Sequence, residues 1–271
     1  MPTITRSEAA RLDVASADGT PIAVHRTGGG APLVLVHGAA ADHTRWAPVL
    51  PAFAARSTVL AMDRRGRGGS GDAPDYALER EVEDVVAVVE AAGEDVRLLG
   101  HSHGAVLALE AARRTDRLAA LVLYEPPLGF VRWPADVVSR LEALLAEGRR
   151  DELLEVFLAD VAGLPADQIE LMRSLPAWTG RLAAAHTIPR EERINREYVF
   201  DPARFTGIRV PTLMLTGGDS PAGFHAAADA VVAALPGCRP AVMPGQRHAA
   251  MDTDTARFTA EVTAFLERSA R

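Results

Sequence analysis

Lysine is absent from this chain, and all 29 basic residues are arginine. A Schiff base, a pyridoxal phosphate anchor and a phosphate-binding P-loop each need a lysine amine, so those chemistries are excluded. Cysteine is nearly absent too. Cys238 stands alone, which rules out an internal disulfide and suits a reducing compartment. No apolar run approaches the roughly 20 residues that a membrane-spanning helix requires. The opening MPTITRSEAARLDVASADG lacks the basic segment and apolar core of a secretory signal. Clusters of basic residues are missing, and the net charge of -7 disfavours nucleic acid and anionic membranes as partners. These absences predict a soluble, cytoplasmic protein, a monomer or homodimer.

What remains is an ordinary globular composition over 271 residues, long enough for one large α/β domain or a core with an insertion. Residues 20–26 alternate like a strand, and the glycines at 28–30 mark a turn. PLVLV (32–36), STVLAM (57–62), VRLLG (96–100), AALVLY (119–124) and PTLMLT (211–216) are unbroken apolar runs, as expected of strands buried on both faces. A further short strand is predicted at 239–243. Helical periodicity runs through 79–92, 104–114, 223–235 and 254–268. Strands alternating with helices predict a mostly parallel sheet covered on both faces. The rhythm fails between Tyr124 and Pro211, where 134–147, 150–161, 166–174 and 190–197 read as helices. This divides the chain into a core at 1–127 and 208–271 and a helical cap at 128–207.

Residues 100–104 read Gly-His-Ser-His-Gly between a buried strand and an Ala/Leu-rich helix. That context makes Ser102 a candidate nucleophile on a strained strand-to-helix elbow, with its hydroxyl beside a helix N-terminus. LVLVHGA (33–39) ends a buried strand in His-Gly, so the N–H groups of Ala39 and His103 are the candidate oxyanion donors, and His37 is read as a histidine that orients the loop. His248, in PGQRHAAM (244–251), is the candidate base. His43 and His186 are weaker pocket candidates. The elbow should splay His101 and His103 apart, and with no third ligand in view no metal site is expected. Asp63, Arg64 and Arg65 are expected to brace their own loop, and Glu83 and Asp84 to lie on a solvated helix face.

The segments LVLVHGAAAD (33–42), MDRRGRGGSG (62–71), LLGHSHGA (98–105), PTLMLTGGDS (211–220) and PGQRHAAM (244–251) together resemble the α/β-hydrolase fold superfamily over nearly the whole length. The resemblance implies that fold, with a helical cap after the sixth core strand, and a Ser-His-acid triad. It leaves two candidates for the acid. The usual position, Gly-x-x-Asp after the seventh strand, holds Ser220 here, with Asp219 one residue early. Glu125, in LVLYEPP directly after the sixth strand, resembles the placement in certain lactonases and dehalogenases, and Pro126 and Pro127 would hold it rigid.

A serine at position 102 disfavours epoxide hydrolases and dehalogenases, relatives that use an aspartate nucleophile. The expected reaction is hydrolysis of a small hydrophobic ester or lactone through an acyl-enzyme, without a cofactor. Trp133, Trp178, Tyr198 and Phe200 are the candidate substrate contacts in the cap. A carbon–carbon bond hydrolase, a thioesterase or a cofactor-free haloperoxidase would share the triad. A small-molecule receptor on a hydrolase scaffold would bind ligand with little turnover.

Overall fold

The computed structural model describes residues 10–175 and 177–269. Residues 1–9, read above for a signal, and the outermost bounds 1 and 271 of the predicted core lie outside the described residues. The strands are β1 (Ala10–Ala15), β2 (Pro21–Gly28), β3 (Ala31–Val36), β4 (Ser57–Met62), β5 (Val96–His101), β6 (Leu118–Tyr124), β7 (Thr212–Gly217) and β8 (Cys238–Met243). They form one eight-stranded sheet in the order β1-β2-β4-β3-β5-β6-β7-β8. Only the β1/β2 and β2/β4 pairings are antiparallel.

The helices α1 (Leu50–Ala54), α2 (Leu78–Ala92) and α3 (His103–Ala111) interleave with the first six strands. Between β6 and β7 come α4 (Val137–Ala146), α5 (Arg150–Val156), α6 (Ala166–Arg173), α7 (Ala177–Ala184) and α8 (Ile188–Glu197). The chain closes with α9 (Ala222–Ala234), α10 (Ala250–Thr253) and α11 (Thr255–Ser269). Among the described residues no helix is long and apolar enough to cross a membrane.

Side chains alternate across the strands and fill two cores. Val34, Val36, Leu98 and Leu121 face α2, α3 and α9, while Leu33, Leu35, Leu99 and Val122 face α1 and α11. That two-sided burial is why these strands read as unbroken apolar runs. A third apolar cluster lies within α4–α8, around Leu141, Leu153, Leu154 and Ile188, and takes in Ala40 from the loop after β3.

Four elements escape the sequence pattern, the four-residue α10 among them. β1 is an edge strand with five of its six residues exposed, so it lacks an apolar signature. α1 spans only five residues. α7 carries Thr179 and Gly180 mid-helix, both weak helix formers. One charge expectation is also corrected. Asp84 is buried, not solvated, because Arg65 on the facing loop donates to it from Nε and Nη2, both at 2.7 Å. Glu83 lies part-exposed beside Arg80.

Register sets up the site. Val36 pairs with Gly100, Gly100 with Leu123, and Tyr124 with Leu215. The loops after β3, β5, β6 and β7 therefore emerge side by side at the carboxyl ends of the strands, where open α/β sheets bind ligands.

Candidate active site

Ser102 leaves β5 with φ 58° and ψ -126°, outside the regions ordinary residues populate. Its flanking glycines are required by space. A Cβ on Gly100 would lie 2.3 Å from the Gly104 carbonyl oxygen, and one on Gly104 would lie 2.3 Å from that of Val36. The Ser102 N–H donates to the Tyr124 carbonyl at 2.8 Å, which ties the elbow to β6. Gly38 faces it so closely that a Cβ there would sit 2.8 Å from the Ser102 Cβ. His103 opens α3, so its N–H has no carbonyl one turn earlier to bond.

His248 and Glu125 come together. The imidazole donates from Nδ1 to Glu125 Oε2 at 2.6 Å, because an ionised carboxylate only accepts. Its Nε2 lone pair is thereby left free. The other carboxylate oxygen accepts the Gly217 N–H at 2.7 Å. Glu125 is fully buried and has φ 50°, a left-handed conformation that turns the chain sharply out of β6. The loop that carries His248 is fixed from below. His101 donates from Nε2 to the His248 carbonyl at 2.8 Å, and its ring lies 4.7 Å from the His248 ring. The Tyr124 hydroxyl donates to the Arg247 carbonyl and accepts the Ala250 N–H at 3.0 Å. Phe224, which sequence reasoning missed, stacks on His248 at 4.6 Å. Its one signal in sequence is an aromatic in the first turn of the helix that follows the loop after β7.

Asp219 does not reach this arrangement. It is exposed, its N–H donates to the Gln246 carbonyl at 2.9 Å, and Glu125 holds the bond to His248. The loop that could have carried the acid instead supplies a donor, Gly217, to Glu125.

The predicted aromatic contacts are largely committed elsewhere. Trp178 lies in the apolar cluster of α4–α8, donates to Asp151 at 2.9 Å and lies under Arg173. The Tyr198 hydroxyl donates to Glu110 on α3 at 2.7 Å, and Phe200 stacks on Phe205 with ring centroids 5.1 Å apart. All three side chains thus have partners away from the Ser102 loop. Trp133 is half-buried against the α4–α8 cluster. Ala39 packs on that same cluster, and His103 donates from Nδ1 to Asn195 of α8 at 2.7 Å. His101 and His103 thus point apart. His37 bonds the Gly38 carbonyl at 2.8 Å and accepts the Arg64 N–H at 3.2 Å, which braces the loop after β3.

Among the described residues, two groups bring three metal-capable side chains together. His25 and His43 both bond Asp63, at 3.0 and 2.8 Å, but their rings stack nearly parallel at 3.3 Å. An ion in the plane of one ring would lie well out of the plane of the other, so this geometry does not fit a cation. His186 lies 3.8 Å from Asp72, on a different ion pair. In the second group, Glu81 and Glu191 already face the guanidiniums of Arg64 and Arg67 beside His103, which opposes a further positive charge.

Three buried histidines predict how stability depends on pH. Burial, reinforced by Arg64 and Arg67, holds His37 down to about 3 from 6.5. Burial also lowers His101, with His248 adding to it, and His103, with Arg64 adding to it. Below about pH 6.5 the unfolded chain binds protons that the folded chain does not, so stability falls on acidification by about 1.4 kcal/mol per pH unit for each such histidine. His43, raised chiefly by its bond to Asp63, acts in the opposite sense, and so do two buried carboxyls: Glu192, pushed up to about 8 by burial and by Glu191, and Asp84, raised by burial. Urea unfolding is expected to show a net loss of stability between pH 7 and pH 5, smaller than three histidines alone would give because Glu192 opposes them. A gain in stability over that window would contradict neutral burial of these rings.

A model of the alpha/beta hydrolase family matches residues 33–262. An alpha/beta hydrolase of known structure from Sphaerobacter thermophilus is 39% identical, with TM-score 0.81 over 92% of this chain and 99% of that one. The esterase RhEst1 from Rhodococcus is 26% identical, with TM-score 0.76 over 95% of this chain and 98% of its own. A 2-hydroxymuconate semialdehyde hydrolase from Pseudomonas is 30% identical over 64% of each chain. With the strand order and the elbow already in place, the chain belongs to the alpha/beta hydrolase family and is a hydrolase of the α/β type.

Proposed function

We propose that this hydrolase cleaves a small hydrophobic carboxylic ester or lactone through a serine acyl-enzyme. The observation that carries the reading is the bond at 2.6 Å between the buried Glu125 and the part-exposed His248, which leaves Nε2 of the imidazole free at the carboxyl ends of β5 and β6, where Ser102 sits on its elbow. In the proposed reaction Ser102 Oγ attacks the carbonyl carbon while His248 Nε2 takes its proton. Glu125 stabilises the imidazolium that forms. The N–H groups of Ala39 and His103 receive the oxyanion. His248 then protonates the leaving alkoxide, and a water deprotonated by the same imidazole releases the acid. The helices α4–α8 serve as a cap over the site. Likeness to the Rhodococcus esterase supports an ester as the substrate class.

The test is active-site labelling combined with turnover. Wild-type protein is treated with a fluorophosphonate and its mass measured, with Ser102→Ala as control. Both are then offered aryl esters, lactones, thioesters and a carbon–carbon bond substrate. One adduct on wild type, none on Ser102→Ala, and turnover confined to oxygen esters support the reading. Labelling with turnover confined to thioesters or the carbon–carbon substrate keeps the nucleophile and replaces the substrate class. An unlabelled serine and ligand binding without product would make the protein a receptor on this scaffold.

A further inference from the structure

We infer that the helices α4–α8 hold both donors of the oxyanion hole in place, which makes Arg181 and Asn195 positioning residues for the chemical step. The inference rests on the serine-hydrolase reading above.

The two contacts come from different helices and reach different halves of the hole. Arg181, on α7, donates from Nη1 to the carbonyl of Ala40 at 2.9 Å. Ala40 directly follows the first candidate donor, Ala39. It is fully buried, has φ 50° and packs into the apolar cluster of α4–α8. A non-glycine residue in that conformation costs about 1–3 kcal/mol unless its surroundings hold it. The two holding it are a guanidinium on its carbonyl and the apolar side chains around its methyl group. A change at the Ala39–Ala40 junction would re-aim the Ala39 N–H, one peptide away. Asn195, on α8, accepts from Nδ1 of the buried His103 ring at 2.7 Å. His103 is the second donor and the first residue of α3, so anchoring its ring fixes the start of that helix.

Packing of a simple lid would need neither contact. Arg181 meets a backbone carbonyl, and its charged neighbours are Arg45, Asp42 and Asp252. The insertion therefore grips the two backbone segments that must keep their N–H groups aimed at one point as charge develops. Oxyanion donors act through such preorganisation, and removing one outright costs about 10²–10³ in kcat. Misaiming one is expected to cost less.

The test uses a fluorophosphonate, so it needs no knowledge of the natural substrate. The maximal labelling rate and the half-saturating concentration are measured for wild type, Arg181→Ala, Arg181→Lys and Asn195→Ala, with Tm recorded for each. The expected result is a loss of about tenfold or more in the maximal rate for both alanine variants. Half-saturation should stay within twofold, and Arg181→Lys should recover part of the rate through its ammonium group. Maximal rates within twofold of wild type in both alanine variants would overturn the inference and leave α4–α8 as a lid. So would a rate loss only in proportion to lost fold, with no recovery in Arg181→Lys. If wild type itself fails to label, the serine-hydrolase reading fails first, which keeps the two failures apart.

Discussion

Glu125→Gln is expected to lower kcat by about 10⁴-fold, the scale seen when a triad carboxylate becomes an amide, while Asp219→Asn stays within twofold of wild type. The reason lies in a count of donors. Two hydrogens converge on Glu125: the Gly217 N–H at 2.7 Å on Oε1 and the His248 Nδ1–H at 2.6 Å on Oε2. A carboxylate accepts both. A glutamine offers one acceptor and one NH₂ group. The Gly217 N–H cannot reverse its role, so the amide oxygen turns toward it and the NH₂ faces His248. Nδ1 must then accept, the ring proton moves to Nε2, and the lone pair that would take the serine proton is gone. Asp219 is exposed and does not bond the imidazole, so its amide changes nothing at the ring. Steady-state kinetics on an aryl ester decides the matter, with Tm measured to show that both variants fold. Equal losses in the two variants, or a larger loss in Asp219→Asn, would reassign the acid.

The residues legible in the sequence were those whose position follows from local geometry. Ser102 was legible because Gly100 and Gly104 are demanded by backbone atoms only 2.3 Å from where a Cβ would stand. β3 and β5 were legible because burial on two faces leaves no room for polar residues. Which of Glu125 and Asp219 bonds His248 does not follow from spacing alone. It depended on the register of β6 against β7 and on the positive φ at Glu125, neither of which appears as a residue pattern. Trp178, Tyr198 and Phe200 were singled out for size and chemistry, but large apolar rings fill cores as readily as pockets. What they face depends on Asp151, Glu110 and Phe205, distant in sequence or on other elements. The buried charges were the least visible. Asp84 looks like part of the solvated face of α2 until the loop after β4 lays Arg65 on it, and that same loop brings Arg64 onto Glu81.

That buried cluster carries the largest expected effect on stability. Arg64 donates to both oxygens of Glu81, at 2.6 and 2.7 Å, bonds Glu191 of α8 and reaches the Gly38 carbonyl at 3.2 Å. Arg67 stands 2.6 Å from the other oxygen of Glu191. All four side chains are buried. Burial alone would push both glutamates up, but the two guanidiniums outweigh it and hold both below the usual carboxylate range. Arg64→Met preserves much of the volume and leaves two buried carboxylates sharing Arg67. Breaking a buried pair from one side costs about 3–5 kcal/mol, which corresponds to a fall in Tm of roughly 10 °C for a protein near this size. The sign of the pH response distinguishes lost charge pairing from lost packing. In wild type the glutamates contribute stability above their unfolded value of 4.5, and that contribution disappears as pH falls through their depressed folded values. In Arg64→Met the unpaired carboxyl is pushed above 4.5 and takes up a proton in the folded state, so the deficit relative to wild type should shrink between pH 7 and pH 5. Urea unfolding at the two values tests this. A deficit below about 1 kcal/mol at pH 7 would mean that the pairs only offset their own desolvation. A deficit that is large but independent of pH would assign it to the packing of the Arg64 stem.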